Sequence, residues 1–120
     1  MPKKILLAED EKPMSRAMQL KLKNAGYVVT PAYDGLEAIA ALKKDKYDLV
    51  LLDLVMPDLD GFGVLTEMKS QKISVPVVVL SNLGQTEDLK KAKELGARDY
   101  FIKADVSLAS IVEYIKKNIK

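Results

Sequence analysis

What most limits the fold of this sequence is a rhythm: short apolar runs alternate, from one end to the other, with segments of helical periodicity. Ile5–Ala8, Tyr27–Thr30, Leu49–Leu52, Val77–Leu80 and Tyr100–Ile102 are brief, rich in branched residues and bounded by turn or charged residues, which is the pattern of strands. Ile5–Ala8, Leu49–Leu52 and Val77–Leu80 are apolar throughout, as expected of strands covered on both faces.

Helix signals fill the intervals. Asp34 stands three residues before Glu37 at the head of an apolar pattern, the spacing of a capping box. The first helix is expected over roughly Met14 to Asn24, stopping at Gly26, with Pro13 near its start. The third runs from about Gly61 to Ser70, capped by Asp60. Thr86 precedes Glu87 and Asp88, carboxylates suited to the positive end of a helix dipole, and Gly96 stands where a C-terminal cap belongs. Leu108, Ile111, Val112, Ile115 and Ile119 fall on one face of a last helix. Five strands each followed by a helix imply right-handed crossovers and a parallel sheet between helical layers, a doubly wound α/β domain. A length of 120 residues, with no linker or low-complexity tract, is read as one domain over 1–120.

Composition then limits the chemistry. The chain has no Cys and no His, which removes thiolate metal sites, disulfides and the commonest general base. Any chemistry runs on carboxylates, hydroxyls, lysines and backbone. The net charge is only +2, a mixed-charge surface rather than a nucleic-acid footprint. The apolar run after Lys4 is four residues long before Glu9, too short for a signal peptide or a membrane span. A cytoplasmic location and no membrane insertion are expected.

In open parallel sheets, ligands bind beyond the carboxyl ends of the strands. The first apolar run ends in Glu9-Asp10, the third in Asp53, the fourth in Ser81 and the fifth in Lys103. Singly, each has a plain explanation, since acids and serines commonly start loops and a lone Lys is usually solvated. Together they face one crevice. Three carboxylates at about 4 Å and an effective dielectric near 20 repel by on the order of 4 kcal/mol per pair, so a cation belongs among them. All-oxygen donors indicate Mg²⁺, or Mn²⁺. An aspartate can also accept a phosphoryl group as an acyl phosphate, and a metal and a Lys would neutralise the transferring oxygens.

Ile5-Leu6-Leu7-Ala8-Glu9-Asp10-Glu11, then Asp53-Leu54-Val55-Met56-Pro57-Asp58-Leu59-Asp60-Gly61, then Ser81, then Gly96-Ala97 leading to Tyr100-Phe101-Ile102-Lys103 together resemble the receiver domains of bacterial two-component response regulators, the single-domain, chemotaxis-regulator-like kind in particular. The resemblance covers essentially the whole chain, and its strength lies in the order and spacing of the four segments. It implies a flavodoxin-like (βα)5 three-layer sandwich with strand order 2-1-3-4-5. It further implies Asp53 as phosphoacceptor, Asp10 as a direct metal ligand, Glu9 as a ligand directly or through water, and the Val55 carbonyl as the remaining protein ligand. Lys103 would pair with the acceptor and then with the phosphoryl group. Ser81 would move to bond a phosphoryl oxygen and Tyr100 would rotate inward, passing the change to the surface of the fourth helix, fifth strand and fifth helix. The alternative for Tyr100 is a half-buried strand aromatic. The implied partners are a histidine kinase or histidine phosphotransfer protein and a downstream protein target, with no direct nucleic-acid contact. The implied assembly is a monomer or a phosphorylation-dependent homodimer.

The sequence also departs from the family pattern. Lys103 is followed by Ala104 where the family usually has a cis proline; a non-proline cis bond costs about 2.5 to 4 kcal/mol, so a trans bond is expected. Val55 and Leu83 occupy the positions that flank the path of hydrolytic water in the family, and neither can orient water by a side-chain hydrogen bond; slow self-dephosphorylation is expected. Three other readings compete. A receiver used only as a binding module would not need the full set of Glu9, Asp10, Asp53, Ser81 and Lys103. A phosphohydrolase with an aspartate nucleophile typically carries a second Asp where this chain has Val55. Dinucleotide binding lacks the glycine-rich fingerprint.

Overall fold

The computed structural model describes residues 2–119. Five parallel strands, β1 (Lys4–Ala8), β2 (Val28–Ala32), β3 (Leu49–Leu52), β4 (Val77–Ser81) and β5 (Asp99–Ile102), form one sheet in the order β2-β1-β3-β4-β5. Between and after them lie α1 (Lys12–Asn24), α2 (Gly35–Lys44), α3 (Gly61–Ser70), α4 (Thr86–Glu94) and α5 (Leu108–Asn118). The flavodoxin-like doubly wound fold and its strand order are as the sequence implied.

The period-two alternation of the central strands divides the core. Leu6, Val50, Leu52 and Val79 face one apolar layer with Ala38, Leu65 and Ala92 from α2, α3 and α4. Ile5, Leu7, Leu51 and Val78 face the other, with Met18 and Leu22 from α1 and Ile111 and Ile115 from α5. Each fully buried Leu or Ile contributes roughly 1.5–3 kcal/mol relative to exposure, so the sheet is clamped from both sides. β3 and β4 are buried along their full length, which is why their sequences carry no alternation.

The second strand differs from its expected bounds. It starts at Val28 and runs through Pro31, which stands opposite Leu7 in register. Pro31 has no N–H to give, but β2 is an edge strand, where the missing donor breaks no ladder bond to a further strand.

Helix starts follow the sequence with local variations. Asp34 accepts the Glu37 N–H at 2.8 Å, while the Glu37 carboxylate accepts from Tyr33 rather than from Asp34. Asp60 accepts the Gly63 N–H at 2.8 Å, as expected of the cap of α3; such caps are worth about 1 kcal/mol. Thr86 is the first residue of α4, and Gln85 stands before it with its N–H donated to Asp88. α1 begins two residues earlier than its apolar pattern, with Pro13 in its first turn. Gly96 follows α4 at φ +106°, the left-handed conformation that favours glycine at a helix end. Ile119 closes α5 as its C-cap rather than within it, yet remains buried with Ile115. Among the described residues there are no cis peptide bonds, so Lys103-Ala104 is trans, and Lys103–Asp105 form one 3-10 turn leading to α5.

Candidate functional site

The strand ends assemble the polar residues named from the sequence. Glu9 and Asp10 follow β1, Asp53 follows β3, Ser81 is the last residue of β4, and Lys103 follows β5. β1 and β3 are direct neighbours, and the Asp53 N–H bonds the Ala8 carbonyl at 2.9 Å, which holds the two chain segments side by side as they leave the sheet. One carboxylate oxygen from each of Glu9, Asp10 and Asp53 then lies within 4.8 Å of the others.

The loop that follows Asp53 is held by two glycines. A Cβ on Gly61 would stand 2.4 Å from the Asp53 carbonyl oxygen and 2.6 Å from Leu54 Cα, and one on Gly35 would stand 1.9 Å from the Leu59 carbonyl oxygen. Only glycine permits these approaches, and they pack the loop that follows Asp53 against the starts of α3 and α2. Asp58, at φ +67°, makes the turn between them, a conformation that Asp tolerates better than most residues.

Lys103 is the cation among the acids. Its ammonium lies 2.5 Å from Glu9 and 3.0 Å from Asp53, both buried, and 3.3 Å from exposed Glu11. Burial alone would lower the Lys103 pKa, but its hydrogen bonds to Glu9 and Asp53 outweigh that and raise it above the usual lysine value. Burial is also the main reason the Glu9 carboxyl is pushed above its usual range, opposed by its bond to Lys103. The backbone supplies further donors: the Val55 N–H bonds Asp53 at 3.2 Å and the Glu11 N–H bonds Glu9 at 3.1 Å.

Ser81 and Tyr100 bond the loop that follows β4. Ser81 is fully buried and its hydroxyl oxygen accepts the Leu83 N–H at 3.4 Å. Half-buried Tyr100 donates its hydroxyl to the Leu83 carbonyl. Burial, followed by the charges of Asp88 and Asp53, pushes the Tyr100 phenol up to about 12. Ser81 and Tyr100 thus meet at one loop residue, a link the sequence did not reveal. Val55 is exposed beside Asp53.

A pocket of about 220 Å³ opens over the cluster, lined by Asp10, Glu11, Asp53, Val55, Asn82 and Lys103. A roomier cavity of about 430 Å³ lies around Leu65, Ile73, Val75 and Leu95, with Lys69 and Arg98 but no carboxylate. Size alone would favour the second, but only the first brings together groups able to hold a metal and a phosphoryl group. Sequence reasoning gave Glu11 no role, although a third acid directly after Glu9-Asp10 was a visible signal.

The family model of the response regulator receiver domain matches residues 5–116. The chain belongs to the response regulator receiver domain family. A curated relative, the probable transcriptional regulator ycf27 of Porphyridium aerugineum, is 41% identical over 100 residues, covering 83% of this chain and 41% of the relative. Among solved structures, the receiver domain of the Francisella response regulator 1452 is similar at 31% identity and a TM-score of 0.89, with 96% of this chain and 94% of that one covered. The phosphorylated cyanobacterial phytochrome response regulator RcpA is similar at 34% identity and a TM-score of 0.84, with 98% and 91% covered. This receiver chain spans about two fifths of the length of the curated relatives it matches. No helix among its described residues is long and apolar enough to cross a membrane.

Proposed function

We propose that the chain is one receiver domain over 1–120 that accepts a phosphoryl group on Asp53 and acts as a cytoplasmic signalling switch, not as an enzyme of metabolites. The observation that carries this reading is the meeting of Asp53, Glu9, Asp10 and Lys103 in one side-chain cluster. The donor is a phosphohistidine of a kinase or phosphotransfer protein. An Asp53 oxygen attacks phosphorus, the N–P bond breaks, and the donor imidazole leaves. Lys103 follows the charge from the carboxylate to the phosphoryl oxygens, and the Val55 N–H orients Asp53.

The three carboxylates fit a hard divalent cation, because every side-chain donor is oxygen and their mutual repulsion needs positive charge. Asp10, Asp53, Glu9 and the Val55 carbonyl would hold Mg²⁺, or Mn²⁺. Such an ion supplies charge neutralisation to the transferring phosphoryl oxygens.

Signal output runs through Ser81, Leu83 and Tyr100. A Ser81 hydroxyl drawn to a phosphoryl oxygen shifts the loop that also accepts from Tyr100, and Tyr100 lies on β5 between α4 and α5. The surface of those three elements is the output face, with a downstream protein as target and the chain as a monomer or a phosphorylation-dependent homodimer. A net charge of +2 favours a protein target over direct nucleic-acid contact. The ycf27 relatives are named as transcriptional regulators; where such a protein carries further segments, the same face is suited to control them.

Incubation with Mg²⁺ and acetyl phosphate is expected to add one phosphoryl group to the intact mass, and Asp53→Asn to abolish the gain. A metal-independent gain, or one kept by Asp53→Asn, would overturn the reading. The phosphorylated state is expected to persist for minutes or longer, since Val55 and Leu83 cannot position water. Replacing each by a polar residue, Val55→Asn and Leu83→Gln, is expected to shorten it severalfold. A wild-type lifetime of seconds that neither change alters would contradict this account of hydrolysis.

A further inference from the structure

Among the described residues no buried side-chain nitrogen or oxygen lacks a hydrogen-bond partner, so the cavities away from the strand ends offer a ligand no buried unpaired group. The feature still unexplained is at the mouth of the acidic pocket. A lysine ammonium has three hydrogens to donate, and around Lys103 stand three carboxylates, with Glu11 the most distant at 3.3 Å and its side chain 61% exposed. Glu11 is also the N-cap residue of α1, yet its side chain makes no capping bond there. The helix does not need this carboxylate, which reaches across the pocket opening instead.

We propose that Glu11 is a positioning and donor-selecting residue: it occupies the third donor of Lys103 and places a negative charge in the path of small anionic phosphodonors. The inference rests on the reading of Asp53 as phosphoacceptor. When a phosphoryl group arrives, Lys103 must give up a partner to meet it. Glu11 is the partner released most readily, because its contact is the longest and its charge is already hydrated. Until released, it opposes the donor twice, by engaging Lys103 and by repelling a second anion at a distance within the screening length of dilute salt. A protein donor that presents its phosphohistidine beside a cationic side chain offsets that charge; acetyl phosphate in solution does not.

The test compares wild type, Glu11→Gln, Glu11→Asp and Asp53→Asn at saturating Mg²⁺, following intact mass with time. In the chains that keep Asp53, the P–O bond of acetyl phosphate breaks, a bond from phosphorus to an Asp53 oxygen forms, and acetate leaves; with phosphoramidate the P–N bond breaks and ammonia leaves. Glu11→Gln is expected to raise the second-order rate constant roughly 3- to 10-fold at low ionic strength and by less at high salt, as steering by a charge should. The gain is expected to be smaller with phosphoramidate, which carries less net negative charge. Glu11→Asp, which keeps the charge, is expected to stay within about twofold of wild type. A wild type that gains mass while Glu11→Gln is unchanged or slower overturns the role of Glu11 alone. So does an acceleration that ignores salt and donor charge, or one that Glu11→Asp shares in full. A wild type that gains no mass at all overturns both the role of Glu11 and the acceptor reading.

Discussion

Gly35→Ala is expected to destabilise the domain by about 3 kcal/mol, the upper part of the range for forcing an extra methyl into a packed site, and to lower its melting midpoint by roughly 10 °C. The added Cβ would stand 1.9 Å from the Leu59 carbonyl oxygen and 2.6 Å from its carbonyl carbon, both backbone atoms that no rotamer change can move aside. Either α2 or the loop between Asp53 and α3 must retreat. Gly26→Ala is the control: its Cβ would meet nothing within 4 Å, and only the backbone at φ +99° resists it. That change is expected to destabilise by roughly 1 kcal/mol. Thermal unfolding of the two variants checks the comparison, and a Gly35→Ala protein as stable as Gly26→Ala would mean that the close approach is not kept in solution.

Lys103→Met is expected to destabilise the metal-free domain by about 3 kcal/mol near neutral pH, the low end for leaving buried carboxylates without their cation. Glu9 and Asp53 are 4% and 5% exposed at the side chain and Lys103 is 8% exposed, so water screens the loss weakly. The deficit is expected to shrink in acid. A raised Glu9 pKa means that the folded state takes up a proton more readily than the unfolded one, so the Glu9 contribution is full below the unfolded value and is lost as pH rises through the folded one. Lys103 titrates only well above neutrality and adds no slope on the acid side. Mg²⁺ is expected to restore part of the lost stability, since a bound cation answers the same repulsion. Denaturant unfolding at about pH 4.5 and 7, with and without Mg²⁺, reads all three effects. A variant of unchanged stability, indifferent to Mg²⁺, would show that Lys103 does not neutralise the cluster.

Much of this was legible in the sequence because the governing rules are local or periodic. Apolar runs covered on both faces gave β1, β3 and β4 nearly to the residue, and the strand-end rule gathered Glu9, Asp10, Asp53, Ser81 and Lys103 before any geometry was known. Where the reading slipped, tertiary context decided. Pro31 argues against a strand until β2 is seen to be an edge. Gln85 rather than Thr86 precedes α4, with Asp88 reaching back to it, a choice between adjacent polar residues that propensity does not resolve. At the site, the residue types were readable but their pairing was not. Which carboxylates reach Lys103, and that Tyr100 and Ser81 share Leu83, depend on side-chain rotamers and loop paths that no spacing encodes. The close approaches of Gly35 and Gly61 likewise belong to elements far apart in the chain.

Asp53, rather than Glu9, Asp10 or Ser81, is expected to receive the phosphoryl group. An acyl phosphate is reduced by borohydride to an alcohol, whereas a phosphoserine and a free carboxylate are not. Treatment of the phosphorylated protein with borohydride, followed by peptide mass spectrometry, is expected to find homoserine at position 53 and nowhere else. Homoserine at Asp10, hydroxynorvaline at Glu9, or a phosphoryl group surviving on Ser81, would contradict the account.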